Sequence, residues 1–448
     1  HPTAVAGFIK SSYSGYEGLA NGATVDSANG SYSDWSIMSA AIDWGSTNNT
    51  VLNHSFWWSP LDGVFTAADR QLDYKVRFGY DTAAVAAGNF GAAGCGSFSN
   101  YVNHPGQGYN VITVGSFEDN NNSNWTDDAM DGCSGFGDPN NDASGLNHEK
   151  PEVAAIGATM NSTLTNAAAP LVGDVGSGTS YASPMVAALA ADIIQAAPTL
   201  ADEPEAVKAI IMASAVHNIE GDQRISDKDG VGGVDFTGAL TIVERGNFKD
   251  QGINSSTTFP LTETVYAYKG ERVRFVAVWL ANPDGAYTTD ALPADLDLYV
   301  YRADGTTLVG SSLSSVNGFE IVDFVAPATE TYQIKISKFS YSGSNTWLGT
   351  AWLRGEYRIS PETGYLDPMA TPLGTHLVNH PSDWPITGYW RGVGIRSVDS
   401  DHDLYLYTES LWGNPGARTL GGSSSYGSNP VDFVVVDGNH RSSSLAEH

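Results

Sequence analysis

The run from Gly178 to Ala188 constrains the fold most, because it joins a turn of small residues directly to a helix. Ser180 stands where the first unpaired N–H groups of that helix lie, and Pro184 fits an early turn, where a missing N–H does no harm. The helix continues through Leu189 and Ile193 with many alanines, so it can pack closely against a sheet. The run therefore predicts a buried central helix with a reactive serine at its start.

Five segments of the chain, in this order, match the motifs of one enzyme family. They are His1-Pro2-Thr3-Ala4-Val5-Ala6-Gly7, Gly15 to Ala23, Val85 to Gly91, Lys150 to Gly157, and Gly178-Thr179-Ser180-Tyr181-Ala182-Ser183-Pro184. Together they resemble the signatures of subtilisin-like serine proteases, with Pro2 in place of the usual glycine after the histidine. The resemblance implies an α/β subtilisin-like domain that has a mostly parallel sheet and helices on both faces.

The same resemblance assigns three catalytic residues. Ser180 is the implied nucleophile, His1 the general base and acid, and Asn89 the amide that donates to the oxyanion. Each signal is weak alone, since a serine commonly caps a helix and an asparagine beside glycine is usually turn chemistry. Their occurrence together, in family order, favours catalysis.

Substrate contacts are implied on two walls of a cleft. An extended edge at Ser55, Phe56 and Trp57 is expected to pair with the peptide backbone. Small side chains at Ala86, Ala87 and Gly88 are expected to line the primary specificity pocket, and Thr179 adjoins the nucleophile.

The chain departs from the family pattern after Ser55. Small residues and glycines are usual there, but Phe56, Trp57 and Trp58 follow. We interpret the two tryptophans as a wall of a selective subsite, because aromatic rings at a cleft rim offer contact area at low entropic cost. Packing against a neighbouring loop, or capping of a shortened cleft, are the alternatives.

A triad also needs an aspartate to orient the histidine, and in the family it lies upstream of the histidine motif. The sequence begins at that motif, so we expect residues 1–245 to form a catalytic domain whose Asp-bearing segment is supplied from outside this chain. Two alternatives remain. Val434 to Gly438 supplies the strand in a permuted arrangement, or the chain is an inactive relative.

Hydrophobic spacing predicts further elements between the motifs. We expect a short strand at Thr24-Val25, a helix from Trp35 to Trp44, a strand from Asn49 to Phe56, a helix from Ala67 to Lys75, a strand from Val111 to Ser116 and a helix from Glu205 to Ala215.

After Arg245 the sequence changes to short alternating strands separated by Gly, Asp and Asn, which is typical of antiparallel β-sandwiches. Asp297 to Tyr301 is repeated at Asp403 to Tyr407, an offset of 106 residues, and Val322-Asp323-Phe324 at Val431-Asp432-Phe433, an offset of 109. We predict two all-β sandwich domains, 246–356 and 357–448. The Asp-Leu-Asp-Leu-Tyr stretch resembles pre-peptidase C-terminal domains. Carbohydrate or fibrous substrate, the catalytic domain and another subunit are all candidate contacts.

Composition points to an extracellular protein. With 50 acidic against 22 basic residues the net charge is −28, which excludes nucleic acid and anionic membranes as natural partners, and no apolar run is long enough for a membrane span. Cys95 and Cys133 are either a disulfide or two buried thiols.

Two loops rich in Asp and Asn, 118–131 and 138–142, carry hard oxygen ligands. We favour solvated loops, with structural calcium as the alternative; no metal ligand is assigned, and the chemistry itself requires no cofactor. The sequence thus predicts a secreted serine endopeptidase that acts on proteins or peptides. The rival is a catalytically inactive adhesion or assembly protein on the same fold.

Overall fold

We analysed a computed structural model of the chain. It describes residues 1–354 except 32, 61, 93–94, 96–99, 123–124, 126, 140–147, 166–168, 222–224, 268, 270 and 343, and the backbone of five later strands. The chain divides into two compact units, His1–Ser360 and Pro361–His448. The predicted division after residue 245 lies inside the first unit and stays a prediction.

The described helices of the first unit are α1 (Pro2–Lys10), α2 (Trp35–Asn48), α3 (Ala67–Gly79), α4 (Thr179–Ala196), α5 (Pro204–Ser214) and α6 (Phe236–Arg245), with a 3-10 turn at Pro198–Asp202. Its described strands are β1 (Ser12–Tyr13), β2 (Tyr16–Glu17), β3 (Val51–His54), β4 (Thr82–Ala86), β5 (Ile112–Glu118), β6 (Ala129–Met130), β7 (Val153–Ile156), β8 (Met160–Thr163), β9 (Val172–Gly176), β10 (Phe248–Ile253), β11 (Leu261–Ala267), β12 (Arg272–Trp279), β13 (Ala294–Tyr301), β14 (Leu308–Ser312), β15 (Phe319–Val325), β16 (Glu330–Tyr341) and β17 (Thr346–Arg354).

A mostly parallel sheet forms the centre of the α/β part. β3, β4, β5 and β7 pair in parallel in that order, and only the short β6 runs antiparallel, against the end of β5. Alternate residues of β4 point to opposite faces. Ala83 and Val85 join the cluster that contains Met38 of α2 and Leu72 of α3, whereas Ala84 joins the cluster of α4, α5 and α6. Helices therefore cover both faces, as predicted.

The first β-sandwich packs directly on the α/β part. Its sheets have the strand orders β10-β17-β12-β15 and β11-β16-β13-β14. Every residue of α5 is buried. Ile210 and Ile211 of α5 share one apolar cluster with Val276 and Val278 of β12 and Leu353 of β17. The two parts consequently have one continuous core.

A buried arginine crosses the same interface. Arg274 of β12 donates to the backbone carbonyl of Val231 (2.8 Å) and also to that of Ala215, while its other nitrogens pair with Asp323 at 3.0 and 3.1 Å. Burial lowers the pKa of this guanidinium, and the negative charge of Asp323 opposes that effect. The ion pair therefore helps to keep the buried guanidinium protonated. Through the carbonyls of Ala215 and Val231, Arg274 therefore connects the sandwich to loops of the α/β part.

The second unit repeats the strand pairing of the first sandwich. Its described strands are β18 (Trp390–Arg396), β19 (Leu404–Glu409), β20 (Arg418–Ser424), β21 (Val431–Asp437) and β22 (Leu445–Glu447). β18 pairs with β21, and β19 with β20 and β22, just as β12 pairs with β15, and β13 with β14 and β16.

The irregularities repeat as well. The register shifts between Val300 and Tyr301 in the first unit and between Leu406 and Tyr407 in the second. Because β21 pairs with β18 in its own unit's sheet, the permuted arrangement at Val434 to Gly438 finds no support in the strand pairing.

A pair of carboxyl groups at the sandwich interface predicts a pH-dependent stability. Burial, followed by the charge of Asp73, raises the pKa of Asp290 to about 10. The Asp73 carboxylate meanwhile accepts from the backbone N–H groups of Tyr109 (2.6 Å) and Asn110 (2.8 Å). The folded protein thus holds a proton that the unfolded chain releases near pH 4, so stability should fall as pH rises from about 5 to 10.

Calorimetry from pH 5 to 9 checks this expectation, with Asp290→Asn as the matched variant. The variant keeps the neutral polar group and loses the titration, so its melting temperature should decline less steeply with pH. Parallel curves for the two proteins would show that Asp290 does not hold the proton.

Candidate active site

Ser180 lies in the first turn of α4, half-buried, and it contacts the end of β3. The sequence predicts Pro184 in an early turn, where a missing N–H does no harm; α4 begins at Thr179, so the proline lies in the second turn, inside the helix. A regular helix would bond the N–H of residue 184 to the carbonyl of Ser180, and proline lacks that N–H. The freed carbonyl accepts the Ser55 hydroxyl at 2.8 Å. Pro184 thereby allows the strand to attach to the helix beside the nucleophile.

Two further polar residues strengthen this attachment. The Ser183 hydroxyl donates to Oδ1 of Asn53 at 2.8 Å, and Nδ2 of Asn53 donates to the Ser55 hydroxyl at 3.0 Å. The Ser180 hydroxyl donates to the Ser55 carbonyl at 3.4 Å. Sequence reasoning missed Asn53 and Ser183, although an Asn-x-Ser pair at the end of an apolar strand was the available signal.

Asn89 is tied to the same helix. Its Oδ1 accepts the backbone N–H of Thr179 at 2.9 Å and the Thr179 hydroxyl at 3.0 Å. The Thr179 hydroxyl in turn accepts the backbone N–H of Gly88 at 2.9 Å. Because Oδ1 is engaged in this way, the Nδ2 end of the amide is left to donate.

His1 lies at the start of α1, exposed, where it occupies the N-cap position. Its ring centroid is 5.8 Å from that of Tyr181, the residue after Ser180. Phe8 of α1 also contacts Tyr181, at 5.5 Å, and α1 packs against α4. The structure therefore brings the opening histidine to the helix that carries Ser180.

The three aromatic residues after Ser55 have different surroundings. Trp57 is 44 % exposed and its ring contacts that of Phe90 edge-on at 5.5 Å. Phe56 contacts the ring of His54 at 5.4 Å, and Trp58 that of Trp35 at 5.2 Å; both pack against the cluster under β3. Of the two tryptophans, Trp57 is the exposed one, whereas Trp58, like Phe56, packs against the domain's own core. The aromatic wall stays a prediction. Phe90, which the sequence reasoning missed, stands directly after Asn89.

The segment that carries Asn89 is held from the other side by a disulfide-linked loop. Cys95 and Cys133 form the disulfide, with their Cα atoms 5.6 Å apart. Gly91 donates to the Cys133 carbonyl at 3.0 Å, and Gly135 donates to the Gly88 carbonyl at 2.8 Å. Residues 131–137 therefore run along the predicted pocket wall.

A buried histidine lies beside the site. His54, at the end of β3, is 8 % exposed, and burial lowers its pKa to about 4, so it is neutral beside the site. In the part of the chain that the structure describes, no group of three His, Cys, Asp or Glu side chains is placed to hold a metal ion. Calcium in the two acidic loops stays a prediction, and residues 140–142 of the second loop lie outside the described residues.

Solved structures that the chain is similar to include the self-cleaved protease domain of PatA, with 18 % sequence identity, a TM-score of 0.42, and coverage of 55 % of this chain and 83 % of that one. A second is a cold-adapted subtilisin-like serine proteinase, with 23 % identity, a TM-score of 0.36, and coverage of 52 % of this chain and 74 % of that one. A third is the serine protease of Aeromonas sobria, with 14 % identity, a TM-score of 0.41, and coverage of 78 % of this chain and 81 % of that one. Curated protein sequences give no significant match.

Ser180 in the first turn of α4, with the Asn89 amide bonded to the residue before it, is the arrangement expected of a serine endopeptidase. The model of the subtilase family matches residues 1–232, more than half of the chain. The chain belongs to the subtilase family. Among the described residues, no helix is long and apolar enough to cross a bilayer.

Proposed function

We propose that the protein is a secreted endopeptidase in which Ser180 attacks the peptide carbonyl, His1 takes and returns the proton, and Asn89 stabilises the oxyanion. One observation carries the proposal. Ser180 lies between the end of β3, through Ser55, and the Asn89 segment, through Thr179. A carbonyl that reaches Ser180 therefore has an extended strand end on one side and an amide donor on the other.

The reaction follows from these positions. As the Ser180 oxygen bonds to the carbonyl carbon, its proton passes to the imidazole of His1, and the carbonyl oxygen becomes negative. Nδ2 of Asn89 donates to that oxygen together with the backbone N–H of Ser180, because the N–H groups of Thr179 and Tyr181 already bond Asn89 and Gly178. His1 then protonates the leaving amine, and water repeats the sequence on the acyl-enzyme.

In this proposal the peptide backbone lies along the edge formed by Ser55 and Trp57. The side chain of the residue before the scissile bond enters the space between that edge and the small residues Ala86, Ala87 and Gly88. Phe56 supports the edge from the core side, where its ring contacts His54. Thr179 fixes Asn89 and Gly88 rather than the peptide itself. These assignments extend the sequence prediction to specific roles.

The orienting aspartate is proposed to come from a segment outside this chain. Two observations support an additional strand beside β3. Among the described strands β3 pairs with β4 alone. α2 packs near β3, and Ile37 and Trp44 lie on one stripe of this helix. Their exposed fractions are 48 % and 44 %. An added strand completes the sheet there and its side chains cover apolar surface.

Export is supported by the disulfide and by the acidic composition. The rival function, an inactive adhesion or assembly protein, is favoured by one observation, the contact of Trp57 with Phe90 at the cleft rim. A single labelling experiment separates the two functions.

A fluorophosphonate probe tests the proposal on the intact protein, including the segment that supplies the aspartate. We expect one adduct, on Ser180, and none on a Ser180→Ala variant. The Ser256→Ala variant is the control, because this serine is exposed in the turn after β10, and it should label like the wild type. Intact, folded protein that fails to react would favour the inactive alternative.

A further inference from the structure

The residue after the proposed nucleophile contacts the proposed base. Tyr181 follows Ser180 on α4 and is 8 % exposed, and its ring centroid lies 5.8 Å from that of His1. The two ring planes are 34° apart, closer to parallel than to perpendicular. The His1 side chain forms no capping hydrogen bond on α1. Tyr181 is therefore placed to fix the imidazole from within this chain.

The Tyr181 ring is itself held firmly. Its hydroxyl donates to the carbonyl of Val175, in β9, at 2.8 Å. Phe8 of α1 contacts the ring with centroids 5.5 Å apart, and Ala4 of α1 belongs to the same apolar cluster. A side chain that packing and a hydrogen bond already immobilise loses little conformational freedom when it contacts another ring.

The hairpin of β8 and β9 also holds α1, the helix that follows the proposed base. The Ser162 hydroxyl donates to the carbonyl of Ala4 at 2.8 Å, and the Thr163 hydroxyl donates to the carbonyl of Thr3 at 2.7 Å. Val175 lies on the strand paired with these two residues. One hairpin thus binds both the helix of the base and the tyrosine, and it sets the distance between the two rings.

We infer that Tyr181 is a positioning residue for His1: its ring holds the imidazole near Ser180 and favours the charged form that appears when the imidazole takes the serine proton. The face of an aromatic ring attracts a cation within about 6 Å of its centroid. This attraction arises only once the imidazole is charged, so it stabilises the transition state more than the ground state. The inference rests on the proposed function and adds a residue to that same site.

The test measures how fast a fluorophosphonate modifies Ser180 in the intact protein. The serine oxygen bonds to phosphorus, fluoride leaves and the serine proton passes to His1, so the limiting rate depends on the base, while the half-saturating probe concentration reports binding. We expect Tyr181→Leu to lower the limiting rate about five- to thirtyfold, with the half-saturating concentration within twofold. Tyr181→Phe keeps the ring and should retain at least about a third of the wild-type rate, although it loses the bond to Val175.

Phe8→Leu is the matched control, because it removes an aromatic ring from the same cluster while His1 keeps its contact with Tyr181. Its melting temperature should fall about as far as that of Tyr181→Leu, but its limiting rate should stay within about twofold of wild type. Equal losses of rate in the two leucine variants would overturn the inference, since they would reflect packing alone. Equal losses in Tyr181→Phe and Tyr181→Leu, or a wild-type rate in Tyr181→Leu, would overturn it too.

Imidazole NMR supplies a readout that does not depend on activity. The ring current of Tyr181 displaces the His1 resonances, which a His1→Gln variant assigns, so they should move in Tyr181→Leu and stay in place in Phe8→Leu. Resonances that do not move in Tyr181→Leu would show that the rings are not in contact. Tyr181→Met serves as the non-aromatic variant if the leucine variant does not fold, because a flexible methionine fills the space at lower cost.

The wild-type protein separates this inference from the proposed function. Modification of Ser180 in wild type means that the proposed function stands, and the variants then decide the role of Tyr181. Wild-type protein that does not react rejects the proposed function, and this inference with it.

Discussion

A chain shortened to end at Arg245 is expected not to fold, although it retains every residue proposed as catalytic. The cut uncovers α5, whose side chains are buried from end to end and share a core with β12 and β17. Burial of one large apolar side chain contributes about 1.5–3 kcal/mol. Burial of this face therefore contributes a free energy comparable with the whole free energy of unfolding of a domain, about 5–15 kcal/mol. The carbonyls of Ala215 and Val231 lose Arg274 as well.

A chain that ends at Ser360 is the matched control, because it keeps the whole first unit. We expect it to be soluble and to unfold cooperatively in calorimetry, whereas the shorter chain gives inclusion bodies or a molten species with no melting transition. A cooperative transition in the 1–245 chain would mean that the sandwich is an independent appendage and that the shared core contributes little.

A milder variant separates packing from polar bonding at the same interface. Arg274→Met keeps the apolar stem but removes the bonds to two carbonyls and to Asp323, whose carboxylate keeps its pair with Arg272 at 2.7 Å. A buried acceptor left without its donor typically costs about 1–3 kcal/mol. The interface therefore depends both on apolar packing and on the hydrogen bonds of Arg274, and truncation at Arg245 removes both.

The sequence was most informative where residue spacing and family motifs agree. The helices predicted at Trp35 to Trp44 and Glu205 to Ala215 are α2 and α5, and the strands predicted around Asn53 and Val111 are β3 and β5. The strand at Thr24-Val25 was wrong, since those residues are in no strand. A strand needs a neighbour to pair with, and sequence spacing does not show whether that neighbour is present.

The long-range contacts could not be predicted from spacing alone. α5 is mostly apolar but also carries Glu205 and Lys208, both buried, and nothing in Ile210 or Ile211 identifies a sandwich as the covering layer. Likewise Asn103 reads as a loop residue until the fold places it against Gly88. At the site, motifs predict His1, Asn89 and Ser180 together with the small wall residues, whereas the residues that position them emerge only from tertiary contacts.

Replacement of Asn89 by alanine should lower kcat by about 100- to 1,000-fold with little change in KM, the cost of losing one oxyanion donor. The amide also holds Thr179 through its Oδ1, at 2.9 and 3.0 Å, so the alanine variant alone does not separate donation from positioning. Asn89→Asp does, because it keeps the acceptor for Thr179 and loses the donor, and its charge repels the oxyanion. We expect the aspartate variant to lose at least as much kcat as the alanine variant while it retains the wild-type melting temperature. Near-normal kcat in Asn89→Asp would instead assign Asn89 to the positioning of Thr179, and the oxyanion would then depend on the backbone N–H of Ser180 at the start of α4.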